Sequence, residues 1–248
     1  MKIILNMLTY GKERIGLRVA REIKKLNIGN DILSFQIANR RAFELAKRSV
    51  DQDLNRSFPG REDGNHEERI AYELSPAIRS ADIVIDIHST KSELKDAVIV
   101  TKFDGPTRKC IEAIQPKYVL IMSATKDNAL ISQAKIGIAF EYGKDNDPAV
   151  LKKMVADIER LFGHLGLIKN NICRKKTVTK YFDVFSRADK PKGYKLLKKI
   201  KNYKLVRKGE TFARKGGDLL VAEEDFYPII FGEKNYEDYF GFKGKRIF

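Results

Sequence analysis

The chain is predicted to fold as an α/β protein: a sheet covered by helices on both faces, followed by a small β-rich C-terminal subdomain. Three observations lead there. Through the first two thirds, short apolar runs alternate with segments whose apolar residues recur every three to four positions. Beyond about Cys173 this gives way to short strand-like pieces split by Gly and Asn turns. With 248 residues there is room for one large domain, or a main domain with a small appendage. The expected division is 1–170 and 171–248, with the boundary near residues 169–174.

Residues 2–9 form an apolar run that closes at Tyr10-Gly11, as a buried strand would. Ile15, Val19, Ile23 and Leu26, spaced by four, four and three, mark a helix. Further strands are expected at 31–37, 81–87, 97–100, 118–121 and 136–140. Asn65 with Glu68 three residues later has the form of a capped helix start. Leu151, Val155, Ile158, Phe162 and Leu165 share one face of an amphipathic helix. In the C-terminal part, strand-like pieces fall at 176–185, 193–200, 204–206 and 225–231.

Hydrophobic residues at 43% and charged residues at 33% exclude a low-complexity or collagen-like chain. The two cysteines, Cys110 and Cys173, are too few and too distant for a disulfide framework or a Cys-rich zinc ribbon. No run of 18 apolar residues and no signal-peptide pattern occurs, so a cytoplasmic protein without a membrane span is expected. Lysine and arginine exceed the acids by 48 to 33, a net charge of +15. From Ile168 onward the count is 21 to 10, so most of the excess lies in the C-terminal part. Such a surface attracts anions.

Open α/β sheets place ligands at strand ends, and polar residues collect at four of them. They are Tyr10-Gly11-Lys12-Glu13, the loop from Asp51 to Gly60, Asp86-Ile87-His88-Ser89-Thr90, and Glu141-Tyr142-Gly143. Each has an ordinary structural explanation. Glu13 suits the first turn of a helix, Asn55 and Arg56 could fix a loop, and a lone strand-end histidine is more often structural than a ligand. Together, at the ends of one sheet, they point to a site. His66 and His164 read as surface or structural residues.

Asp53-Leu54-Asn55-Arg56-Ser57-Phe58-Pro59-Gly60, Asp86-Ile87-His88 and the Glu141-Tyr142-Gly143 tail carry a resemblance. In order and spacing the chain resembles the succinylglutamate desuccinylase/aspartoacylase family, relatives of the zinc carboxypeptidases, over most of its length. That resemblance implies a mixed sheet flanked by helices. It also implies a zinc hydrolase that removes an acyl group from an amino-acid amine, with the metal held by a His-x-x-Glu pair and a later His. Glu13 and His88 would then be zinc ligands, with Tyr10 at the position of the first histidine. Glu141 would take the proton of the attacking water and pass it to the leaving amine. Arg48, eight residues before Arg56, would meet the developing oxyanion. Asn55 and Arg56 would grip the substrate carboxylate, and Tyr236 would contact the substrate. A catalytic zinc takes three protein ligands and keeps one position for water, whose pKa it lowers.

The departure is Tyr10. A neutral phenol, with an ordinary pKa of about 10, is a poor zinc ligand, and Lys12 adds repulsion toward a cation. One zinc, weakly held or absent, is therefore expected. The leading reading is a metal-dependent amidohydrolase acting on an N-acyl amino acid or similar small anion. The alternative is a non-catalytic anion-binding or regulatory relative with a degenerate metal site. A nucleic-acid partner for the basic C-terminal part is disfavoured. Its lysines alternate with Leu196, Leu197, Ile200, Leu205 and Val206, as the solvent faces of short strands would. The sequence carries no signal for an oligomeric state.

Overall fold

The structure, a computed structural model, describes residues 1–90, 96–123, 127–169 and 177–247. The expected boundary near 169–174 falls, from residue 170 on and with Cys173, outside the described residues. In chain order the first part runs β1 (Ile3–Met7), α1 (Ile15–Lys24), β2 (Leu33–Ile37), α2 (Arg40–Glu44), α3 (His66–Ser80), β3 (Ile83–Ser89) and β4 (Ala97–Val100). It continues with α4 (Gly105–Ile114), β5 (Tyr118–Ile121), β6 (Ile136–Tyr142) and α5 (Pro148–His164). The C-terminal part adds β7 (Lys180–Asp189), β8 (Lys195–Leu196), β9 (Thr211–Lys215), β10 (Asp218–Val221), β11 (Tyr227–Ile229) and β12 (Tyr239–Arg246).

Nine strands form one mixed sheet in the order β11-β12-β7-β5-β4-β6-β3-β1-β2. β2, β1, β3 and β6 are mutually parallel, and β4 reverses direction against β6. β1 is buried at every position and β3 at all but its last, as strands with helices on both sides must be. On one face α1, α4 and α5 close over Leu5, Ile85, Ile87, Phe140 and Tyr142, with Ile15, Val19, Ile23, Leu161 and Phe162 packed inward. Each such fully buried Leu, Ile or Phe contributes about 2 kcal/mol of hydrophobic transfer free energy. On the other face α3 and the short 3-10 helix Leu130–Gln133 cover Ile4, Val84 and Ala139. A residue on β6 therefore faces one helical layer and its neighbour faces the other.

The capping box is present: the Asn65 side chain accepts from Glu68 N–H, and the Glu68 carboxylate accepts from Asn65 N–H. α4 has no counterpart in the expected elements. Its Asp104 accepts from Thr107 N–H at 3.0 Å. Proline in the first helical turn has no lost N–H partner. The C-terminal part divides in two. β7, β12 and β11 extend the main sheet, whereas β8, β9 and β10 form a separate three-stranded sheet. The piece expected at 204–206 is reduced to an isolated bridge between Val206 and Phe226. β9, β10 and β12 were not expected, since the glycines of Gly216-Gly217 and of β12 itself read as turns. Among the described residues no helix is long and apolar enough to cross a membrane.

Candidate active site

The carboxyl ends of β1, β3 and β6 open into a cleft of about 510 Å³, lined by Tyr10, Glu13, Arg48, Asn55, Arg56, His88, Glu141 and Tyr236 together. All eight side chains singled out in the sequence thus meet in one place. Six of them lie outside the strands, in segments that the rigid strands and α3 hold in position.

β3 supplies the centre. Asp86 and His88 lie two residues apart, so both project to the same face, and His88 stands beside Glu141 in the β3–β6 register. Asp86 is fully buried. Its Oδ1 accepts from Asn6 Nδ2 at 2.7 Å and from Thr9 Oγ1 at 2.9 Å, and its Oδ2 lies 2.7 Å from His88 Nε2. Burial pushes the Asp86 pKa up, but His88 and these hydrogen bonds outweigh it and hold the carboxyl below its ordinary range. The other ring nitrogen, Nδ1, lies 3.0 Å from Glu13 Oε2. Burial opposes charge on His88, yet the two flanking carboxylates push its pKa well above the ordinary histidine range. His88 is thus clamped between the carboxylates of Asp86 and Glu13.

The turn after β1 brings in Tyr10 and Glu13. It needs Gly11, where a Cβ would come within 2.3 Å of the Ala42 backbone carbon. Glu13 also accepts from Ser89 N–H at 3.2 Å. Tyr10 turns its hydroxyl away from this group and donates to Asp53 Oδ1 at 2.9 Å. Its ring lies 5.4 Å from the His88 ring and directly under the Arg48 guanidinium, whose carbon is 3.4 Å from the ring centroid. Burial, then Asp53, push the phenol well above its ordinary pKa, so it is neutral. Arg48 completes the corner with Asp53 at 3.4 Å and Glu13 at 3.9 Å.

The loop after α2 depends on Glu67, a buried carboxylate on α3. It accepts from the backbone N–H of Val50, Asp51 and Gln52 at 2.6, 2.9 and 3.1 Å, and from Asn39 Nδ2 at 2.9 Å. This fixes the approach to Asp53, which caps the short 3-10 helix Leu54–Arg56 by accepting from Asn55 N–H. Asn55 Oδ1 accepts from Leu130 N–H at 2.9 Å, so its amide N–H₂ is what it has to offer a ligand. Arg56 donates one N–H to Asn55 O at 2.7 Å and retains the rest of its fork. On the opposite wall Tyr236 stacks on Tyr239 at 4.0 Å and meets the edge of Phe242. Glu141 has its pKa pushed up to about 8, first by burial and further by Glu13 and Asp86, with His88 and Arg48 pulling the other way. Part of the wall is apolar, with Ile99, Met122, Ile131 and Ile230.

Sequence reasoning left Asp53, Asp86 and Glu67 without roles. Asp53 and Asp86 lay inside the quoted motifs, and Asp86 could have been found from its two-residue spacing to His88. Glu67 carried no such signal. The expected zinc does not fit this arrangement as a site with three protein ligands. Among the described residues no group of three His, Cys, Asp or Glu side chains is placed to hold a metal. Glu13 and His88 bond to each other, and the Tyr10 hydroxyl is directed at Asp53 rather than at them.

A helix-covered α/β sheet here gathers guanidiniums, carboxylates and an imidazole at its strand ends, the place where such sheets take ligands. Residues 15–162, more than half of the chain, match the succinylglutamate desuccinylase/aspartoacylase catalytic domain, and the chain belongs to that family. It is 25% identical over 92% of its length to an N-acyl-aromatic-L-amino acid amidohydrolase (carboxylate-forming) of Xenopus laevis, covering 88% of that protein. The Xenopus tropicalis protein of the same name is equally similar, with 86% of it covered. Murine aminoacylase 3 has the same fold, with a TM-score of 0.81 at 18% identity, over 100% of this chain and 95% of that one. The product-bound ectoine utilization protein EutE (DoeB) of Ruegeria pomeroyi aligns with a TM-score of 0.71 at 18% identity, over 99% and 84%.

Proposed function

We propose that the cleft takes a small N-acyl amino acid by its carboxylate and hydrolyses the amide bond. The observation that carries this reading is the convergence of Arg48, Asn55, Arg56 and Glu141 on one cavity. Arg56 and the Asn55 amide hold the carboxylate, a task suited to the planar guanidinium fork. Glu141, with its pKa near the operating pH, takes a proton from water and returns it to the leaving amine. Arg48, braced by Tyr10, Asp53 and Glu13, presents a fixed positive charge to the oxyanion. Tyr236 and the apolar wall receive the uncharged part of the substrate, which agrees with the aromatic substrates for which the amphibian relatives are named. Zinc dependence, expected from the family resemblance, is left out of this reading because the donors do not assemble.

A second reading, binding without cleavage, is favoured by one feature. Both ring nitrogens of His88 and the Tyr10 hydroxyl are occupied by protein carboxylates, so Arg48 is the main electrophile left. A panel of N-acetyl and N-succinyl amino acids, followed by amine release and by calorimetry, separates the two. Release of free amine that is lost in Glu141→Gln supports hydrolysis. Heat of binding without amine supports the second reading. Absence of both overturns each.

A further inference from the structure

Zinc sites with nitrogen and oxygen donors require ligand atoms about 3.3 Å apart around a metal at roughly 2.0 to 2.2 Å. Glu13 Oε2 and His88 Nδ1 lie 3.0 Å apart, near enough for such a pair. What is missing is the third donor, and the geometry shows what stands there. The Tyr10 ring occupies the space beside His88, and its hydroxyl reaches past it to Asp53. The Arg48 guanidinium carbon lies over that ring, 3.4 Å from its centroid, and the group approaches Glu13 Oε1 to 3.9 Å. A dication placed between Glu13 and His88 would have this fixed cation for a neighbour.

We propose that Tyr10 excludes zinc from this cleft, and that the Arg48 guanidinium stacked on it is the resident cation of the site. The ring does two things. It fills the space beside His88 with a ring whose one oxygen is a neutral hydroxyl directed at Asp53, a poor metal ligand, and it forms the platform on which Arg48 rests. Asp53 locks both, accepting from the Tyr10 hydroxyl and pairing with Arg48. The anion-binding cleft is then complete without metal. An imidazole at position 10 is too short to reach Asp53 and leaves a ring nitrogen beside His88 and Glu13.

The test measures metal, and so does not depend on whether the cleft cleaves, or even binds, an N-acyl amino acid. The full chain is loaded with zinc, dialysed against a weak chelator and examined by elemental analysis. Affinity is then measured by competition with a chromogenic chelator. The wild-type protein is expected to retain far less than one zinc per chain. Tyr10→His is expected to approach one zinc per chain and to bind it on the order of 100-fold more tightly, and adding Glu13→Gln to that variant is expected to remove the gain. Tyr10→Phe, which keeps the ring and supplies no donor, is expected to behave as wild type. Stoichiometric zinc on the wild-type protein overturns the proposal by itself, whether or not the variants fold. So does a folded Tyr10→His that gains no affinity.

Discussion

β6 separates two buried charge clusters that differ in how they are closed. Glu141 faces the cleft, while its neighbour Tyr142 faces α5 and donates to Asp157. Behind the sheet, Asp157 also pairs with Lys153 and Arg160, and Lys153 reaches Asp96. Burial raises the Asp157 pKa, with Lys153 and Tyr142 pulling it back. By perturbed ionisation alone the two clusters look alike. They differ in what remains to be done. The rear cluster joins α5 to the sheet, has its charges matched by helix residues one turn away, and lines no part of the cleft. The front cluster gathers donors and acceptors from β1, β3, β6 and two loops around an open space. A shifted pKa marks burial and charge, and only the cavity distinguishes a site from a strut.

The largest effect that would sharpen this contrast is expected at the rear. Asp157→Ala leaves Lys153 and Arg160 without their shared partner, and removing one member of a buried charge group costs about 3 kcal/mol. Urea unfolding should show that loss, while calorimetric binding of an N-acyl amino acid stays unchanged. The front should behave in the opposite way. Arg56→Ala is expected to weaken carboxylate binding by about 10- to 100-fold, the worth of one charge-assisted hydrogen-bond pair. Its unfolding midpoint should hardly move. If Arg56→Ala unfolds the protein or Asp157→Ala abolishes binding, the division between strut and site is wrong.

The same contrast explains what the sequence could reveal. β1, β3 and β6 were legible because buried parallel strands are apolar along most of their length, and α5 because one face of it packs on Phe140 and Tyr142. The eight cleft residues were legible as a motif carried by the family resemblance and by their strand-end positions. Partnerships were not. Tyr10 and Asp53 are 43 positions apart and His88 and Glu13 are 75 apart, and no local pattern encodes such pairs. β12 was hidden because its glycines, which read as turns, fit against Phe231 and Ile229 of neighbouring chain segments.

Glu67 lies between the two types, a carboxylate closed like the rear cluster that serves the front one. Glu67→Gln keeps the shape but removes the charge that three backbone N–H groups and Asn39 address, and about 1 to 2 kcal/mol of stability should go with it. The pH dependence follows from its shift. Burial pushes the Glu67 pKa up, but the four hydrogen bonds outweigh it and the folded value lies below the ordinary one. Its contribution is then complete above the unfolded pKa of about 4.3 and is lost as pH falls through the lower folded value. Thermal unfolding between pH 6 and pH 3 should therefore show the gap between wild type and Glu67→Gln closing on the acid side. A gap that stays constant would mean that Glu67 acts by shape alone.

The smallest effect is expected at the mouth of the cleft. Lys144 follows β6, is exposed, lines the cavity and makes no ion pair among the described residues. An exposed charge near an anion site adds to the attraction of the approaching ligand but makes no fixed bond to it. Lys144→Ala should therefore lower affinity by no more than about threefold at 0.15 M salt, where the screening length is about 8 Å. The difference should vanish by 1 M, where that length falls to about 3 Å. The Arg56→Ala deficit should persist at that salt concentration, because a direct guanidinium–carboxylate contact inside the cleft is screened far less. Equal salt sensitivity of the two variants would place Arg56 at the rim with the lysine and dissolve the distinction between gripping and steering.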